Sequence, residues 1–246
     1  MPELIESISS LRNSVCSILR IHLKKEKHKK GKVKREFEIA LVGSAFCIVA
    51  NRLLLTAFHI FNNGKERDPN DKFYAFTVPD NGPNAYDFPV TSFPLEDNVR
   101  DFAIIELGPP AAPGREIPSA PIIFKNLFDG TRVVTYGFPA PIIAEARVDE
   151  NANYRGGSFF LKGHANEGII AGQFEIDGIW SYELNVGWHH GESGGPICCI
   201  DPIGVFAIMQ GYRNIKSPHG IMAGPHSGRS LASIERNLRD VGATII

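Results

Sequence analysis

A proline stands three residues beyond a glycine-flanked serine in Gly191-Glu192-Ser193-Gly194-Gly195-Pro196, and it forbids a helix behind that serine. The residues that follow, Ile197-Cys198-Cys199-Ile200, make a short apolar run of strand character that ends at the turn formers Asp201, Pro202 and Gly204. The serine therefore lies on a turn entering a strand. Gly191 to Gly195 also fits the pattern G-x-S-x-G, but that elbow must run from strand through serine into helix. In all, 24 glycines and 17 prolines punctuate the chain, a density that suits many short strands joined by turns. Helical periodicity is scarce away from the two ends, and no repeat of solenoid period is present. The chain is expected to be mainly β.

A serine hydroxyl becomes a nucleophile only with a base in hydrogen-bond reach and a third group to orient that base. The tetrahedral intermediate of acyl transfer also needs backbone N–H donors aimed at its oxyanion. Gly191 can take φ values closed to other residues, which lets its N–H converge with that of Ser193; these two are the expected oxyanion hole. Beyond the serine only Asp201, Glu235, Asp240, His219 and His226 offer an acid or a base. Two upstream segments fit better. Gly43 to His59 reads as two strands around an Asn51-Arg52 turn, ending in Thr56-Ala57-Phe58-His59. Asp101-Phe102-Ala103-Ile104-Ile105-Glu106-Leu107 sets a carboxylate at the head of an apolar strand, where burial against an imidazole is plausible. Asp97, in Glu96-Asp97-Asn98, has no strand directly after it and reads as a loop residue.

The Thr56 to His59, Asp101 to Ala103 and Gly191 to Pro196 blocks, in that order, resemble trypsin-like serine proteases of the chymotrypsin fold. They are most similar to the bacterial branch that includes glutamyl endopeptidases and HtrA-type protease domains. Tyr136-Gly137-Phe138-Pro139 is a weaker fourth match, to a glycine-proline turn early in the second barrel. The resemblance implies a double six-stranded antiparallel β-barrel with a C-terminal helix. It also implies a serine endopeptidase in which Ser193 is the nucleophile, His59 the general base and then acid, and Asp101 the group fixing the imidazole tautomer. A catalytically silent binding module on the same fold is the alternative, and an esterase on the elbow fold a weaker one. The implied partner is a protein or peptide substrate, with no cofactor.

By the same resemblance, the primary specificity pocket involves Gly187, His190, the strand residues Met209, Gln210 and Gly211, and His219. Gly187 stands where preference for Lys or Arg requires an aspartate. Histidines at 189, 190 and 219 suit an acidic substrate side chain, whereas Trp188 and Met209 suit an apolar one. Secreted relatives mature by cleavage to an apolar N-terminus that pairs with the acidic residue before the serine. Glu192 holds that position here without a recognisable partner segment, so a chain that needs no such cleavage is expected.

The organisation expected along the chain begins with a lead-in over residues 1–14, with Leu4, Ile8 and Leu11 on one face of a short helix. A first barrel over 15–107, a proline-rich linker over 108–116 and a second barrel over 117–226 follow. A closing helix and tail over 227–246 starts from the cap candidates Ser227 to Ser230 and buries Leu231, Ile234, Leu238 and Val241. His59 and Asp101 then come from the first barrel and Ser193 from the second, with the site in the cleft between them.

A formal net charge of −1 gives no global attraction for nucleic acid or an anionic membrane. The apolar run Ile39 to Ala50 is too short to span a bilayer. The basic block Lys24 to Arg35 reads as a solvated hairpin loop centred on Gly31, with docking of an acidic partner as its functional alternative. Asp68-Pro69-Asn70-Asp71 and Asp80-Asn81-Gly82-Pro83-Asn84 read as turns rather than calcium loops, and His189 and His190 diverge on an extended backbone, so no metal is expected. Cys16, Cys47, Cys198 and Cys199 are too sparse for a disulfide framework, no signal-peptide pattern is seen, and Ile60 stands where secreted animal relatives carry a cysteine. A cytoplasmic protein is expected.

Overall fold

Six segments, β1 (Val15–Lys29), β2 (Lys32–Val49), β3 (Leu53–Thr56), β4 (Lys72–Thr77), β5 (Tyr86–Asp97) and β6 (Phe102–Leu107), close into an antiparallel barrel in the order β1-β2-β3-β6-β5-β4. A second antiparallel barrel joins β7 (Arg132–Gly137), β10 (His164–Ile176), β11 (Ile179–Leu184), β12 (Pro196–Ile200), β13 (Ile203–Ser217) and β14 (Gly220–Ser230) in the order β10-β11-β14-β13-β12-β7. The strands β8 (Ile142–Val148) and β9 (Tyr154–Phe160) pair only with each other. The expected double barrel is thus the observed fold. This computed structural model describes residues 2–29, 32–62, 66–79, 82, 84–111, 114–125, 127–176, 178–187, 189–217 and 220–246, with the backbone alone at 2, 27–29, 32–34, 176, 212–217 and 220–223.

Burial follows the sequence pattern. Strands β3 and β12, whose apolar runs do not alternate, are buried at every position, as expected of strands covered on both faces. One core fills the first barrel and extends to Tyr136, Cys198 and Val205 of the second, and α1 (Pro2–Ser14) caps it with Leu11. A second core, including Tyr182 edge-on to Phe206 at 5.0 Å, fills the other barrel. A third lies under the β8–β9 hairpin, where Phe76 packs against Tyr154 and Phe159. No helix among the described residues is long and apolar enough to cross a membrane.

Three expectations need correction. The second barrel's first strand begins at Arg132, not near residue 117. The stretch 117–123 is instead an extended strap between the barrels, its Ala120 N–H donating to Cys47 O at 2.8 Å and its Ile123 N–H to Val205 O at 3.0 Å. Second, residues 227–230 are not helical: they pair with both β11 and β13, and Gly228 lies so close to Ile197 that a Cβ would sit 2.1 Å from its Cδ1. The closing segment starts at Leu231 as a 3-10 turn capped by the Ser230 side chain and continues as α3 (Glu235–Asp240), with Leu231, Ile234 and Leu238 buried as expected. Third, the basic block is not a loop. Its backbone is a paired ribbon out to Lys29 opposite Lys32, with part of its charge matched across the strands by Arg35–Glu26 at 2.8 Å and Lys24–Glu38 at 3.9 Å; residues 30 and 31 lie outside the described set.

Candidate active site

Strand pairing brings the histidine and the acid together. β3 runs beside β6 with Thr56 opposite Ala103, so the residues just beyond the end of one strand meet the residue just before the other. His59 opens the helical turn α2 (His59–Asn62), and Asp101 immediately precedes β6. The His59 ring donates from Nδ1 to Asp101 Oδ2 at 2.8 Å, and the His59 backbone N–H donates to Asp101 Oδ1 at 2.7 Å. Both carboxylate oxygens are therefore committed to one residue. A proton fixed on Nδ1 leaves Nε2 as the basic nitrogen, on a side chain that is 39% exposed. Asp101 adopts φ 58, a left-handed conformation uncommon outside glycine that Asp and Asn tolerate best and that surrounding contacts hold in place. Here those contacts are these two bonds and a third, from Phe58 N–H to Asp101 O at 3.3 Å.

Ser193 sits on the turn entering β12. Its hydroxyl donates to the Gln210 carbonyl at 3.4 Å, and the Gln210 side-chain amide donates to Asp101 O at 3.5 Å. Gln210, expected in the substrate pocket, thus lies between Ser193 and Asp101. The turn's other amides are engaged: Gly194 N–H with Met209 O at 2.7 Å, Gly195 N–H with Glu192 O at 2.9 Å and Glu192 N–H with His189 O at 3.2 Å. Among the described residues, the N–H groups of Gly191 and Ser193 meet no acceptor. Gly191 reaches this arrangement at φ 99, where a Cβ would lie 2.3 Å from Phe138 O.

The turn is pinned from the first barrel by Ser44 of β2, a residue the sequence reading did not single out. Its N–H donates to Ser193 O at 2.8 Å, and its hydroxyl donates to Gly191 O at 2.7 Å and accepts from Phe138 N–H at 3.2 Å. Its one trace in the sequence is that Gly43-Ser44 interrupts the apolar run Ile39 to Ala50. Ser44→Ala leaves the Phe138 N–H and Gly191 C=O unpaired in a buried place and is expected to cost about 1–3 kcal/mol. Urea denaturation of the two proteins measures it, and equal midpoints at equal slope would contradict it.

Glu192 is fully buried, yet it does have partners. One carboxylate oxygen accepts from His189 N–H and the other from the Asn166 side-chain amide at 3.1 Å. Burial pushes its carboxyl above the usual range, opposed by the His189 N–H, the nearby His189 ring and Asn166. Asn166, on β10, was likewise not legible from the sequence.

The remaining pocket residues separate. Gly187 is exposed, with the Asn166 side-chain oxygen 3.9 Å from where its Cβ would be. His190 is exposed and its carbonyl accepts from Ala140 N–H at 2.7 Å. Met209 is 2% exposed and packs into the second barrel's core; it meets the serine turn through its backbone. Gly211 lies opposite Ser227, whose hydroxyl donates to its carbonyl at 3.4 Å. His219 and Trp188 lie outside the described residues. His226 of β14, which the pocket expectation omitted, is near enough to His189 to feel its charge; burial first, then His189, lowers its pKa.

One group elsewhere has metal-ligand character: donor atoms of His22, Asp68 and Asp71 lie within 4.8 Å of one another. Asp71 already accepts from His22 Nδ1 at 2.6 Å and pairs with Arg20 at 2.9 Å, and Asp68 accepts from Asn70 N–H at 2.9 Å. The guanidinium supplies the positive charge that an ion would bring, so the cluster is accounted for as a charge network.

A family model described as a trypsin-like peptidase domain matches residues 43–202, a span holding His59, Asp101 and Ser193. Curated proteins include none with significant similarity in sequence. Among solved structures, two of the HtrA-type protease AlgW with decapeptide superpose at TM-scores of 0.63 and 0.61, each at 12% identity and over 96% and 98% of this chain. The chain spans 66% and 68% of the length of those two. Deg5 superposes at 0.59, also at 12% identity, over 96% of this chain and 91% of its own. At this identity the likeness is one of fold.

Proposed function

The chain belongs to the trypsin-like peptidase domain family, and from that premise we propose that it is a serine endopeptidase working through an acyl-enzyme on Ser193. His59 Nε2 takes the Ser193 proton as Oγ attacks the substrate carbonyl, and Asp101 stabilises the imidazolium that forms. The N–H groups of Gly191 and Ser193 hold the oxyanion while the C–N bond breaks, and His59 returns the proton to the leaving amine. Water then repeats the sequence to release the acyl group. The observation that carries the reading is the double hydrogen bond by which Asp101 fixes His59.

A peptide substrate is supported by the AlgW structures, which are with decapeptide. An acidic residue before the scissile bond is the better supported choice: Gly187 brings no carboxylate to the pocket, whereas His189 and His226 are close to each other near the serine turn. A cytoplasmic setting is supported by four free, buried thiols, of which burial raises Cys47 and Cys198 to about 12. A peptide-library digest tests the activity and the preference together. Cleavage after Glu or Asp, lost in Ser193→Ala, is expected. A folded protein that leaves every peptide intact would favour the silent binding module.

A further inference from the structure

We propose that Asn166 is a positioning residue for the oxyanion hole, acting through Glu192 as an internal latch on the Gly191–Ser193 turn. The inference rests on the serine endopeptidase reading above. Glu192 stands between the two residues whose N–H groups form the hole, so the direction of its side chain constrains both neighbouring peptide planes. Its carboxylate is held by two donors of different origin. The His189 N–H closes the turn on itself, whereas the Asn166 amide reaches in at 3.1 Å from another strand and ties the turn to the barrel wall. Asn166 is itself fixed by its place on β10 opposite Thr135 of β7.

The space around the carboxylate is closed. On β7, a Cβ at Gly137 would lie 3.1 Å from Glu192 Cγ. A buried carboxylate ordinarily takes a cation as partner, yet among the described residues no Lys or Arg is among the groups acting on Glu192, and an uncharged amide stands in that place. Of the elements packed against it, β10 offers Asn166 and β7 offers Gly137, neither of which titrates. Among the described residues, His189 on its own turn is the titratable group whose charge acts on the carboxyl, and His226 of β14 lies near enough to that histidine to feel its charge. The ionised carboxylate accepts both bonds. Protonation turns one oxygen into a donor facing an N–H donor, and the latch loses a bond.

The test follows the rate at which a fluorophosphonate labels Ser193, a reaction that needs the hole, alongside kcat and KM on a peptide. Asn166→Ala is expected to lower the labelling rate and kcat by about tenfold or more, short of the ~10²–10³ for loss of a hole donor itself, with KM little changed. Asn166→Asp sets a second carboxyl against Glu192. At low pH the pair shares one proton and keeps its hydrogen bond; as pH rises that proton leaves and the like charges repel. This variant should lose activity on its alkaline side, a limb absent from the native protein and from Asn166→Ala. Being isosteric with the native residue, it also serves if Asn166→Ala does not fold. Native labelling rates in Asn166→Ala, or a profile for Asn166→Asp of native shape, would overturn the latch. A native protein that takes no label would instead overturn the endopeptidase reading and the latch with it.

Discussion

Asp101→Asn is expected to lower kcat/KM by about 10⁴ while leaving the fold intact. Asp101 accepts two N–H groups of His59, one from the ring and one from the backbone. An asparagine has a single acceptor oxygen. Turned to the backbone N–H, it presents its NH₂ to Nδ1 and drives the ring proton to Nε2, the atom that must receive the Ser193 proton. Turned the other way, it sets NH₂ against a backbone N–H. The left-handed φ of 58 at this position suits Asn as well as Asp, and the side chains have one shape, so circular dichroism and the melting midpoint should stay near native. A variant within about tenfold of native kcat/KM would mean that Asp101 does not fix the imidazole tautomer.

Gly194→Ala is expected to remove most of the folded population, at a cost of at least about 4 kcal/mol against a typical total of about 5–15. A Cβ there would lie 2.0 Å from Thr56 Oγ1, 2.4 Å from Ser44 O and 2.8 Å from Ala57 N, with φ at +82. Two of these three atoms are backbone and cannot swing aside. The same contacts explain why the second barrel's serine turn can approach β2 and β3 of the first. Gly130→Ala provides the control: φ is +85 but nothing lies within 4 Å of the added carbon, so the backbone strain alone, about 1–3 kcal/mol, applies. Chemical denaturation separates the two, and equal losses would show that φ rather than close packing governs Gly194.

The catalytic candidates were legible in the sequence because each sits at a punctuation mark: His59 after a buried strand, Asp101 before one, Ser193 among glycines ahead of Pro196. Such boundaries follow from local chemistry. Ser44 and Asn166 were not legible, since each acts by a hydrogen bond to a residue far along the chain, Gly191 and Glu192 respectively, and a lone polar side chain on a strand carries no periodic signal of its partner. The ribbon from Lys24 to Arg35 misled for a different reason. Its charged side chains at 24–26 and 35–36 are exposed, so that part of the ribbon lacks the apolar alternation that marks a half-buried strand. Residues 227–230 look like a helix cap in isolation, and Ser230 does cap the closing turn, but pairing on both sides with β11 and β13 holds the stretch extended.

The proposed acyl-transfer role of Ser193 is tested most directly by intact-mass and peptide mapping after treatment with a fluorophosphonate. A single adduct on the peptide that carries Ser193, present in the native chain and absent from Ser193→Ala and His59→Ala, is the predicted result. A folded native protein that takes no adduct, or takes it equally in His59→Ala, would contradict it.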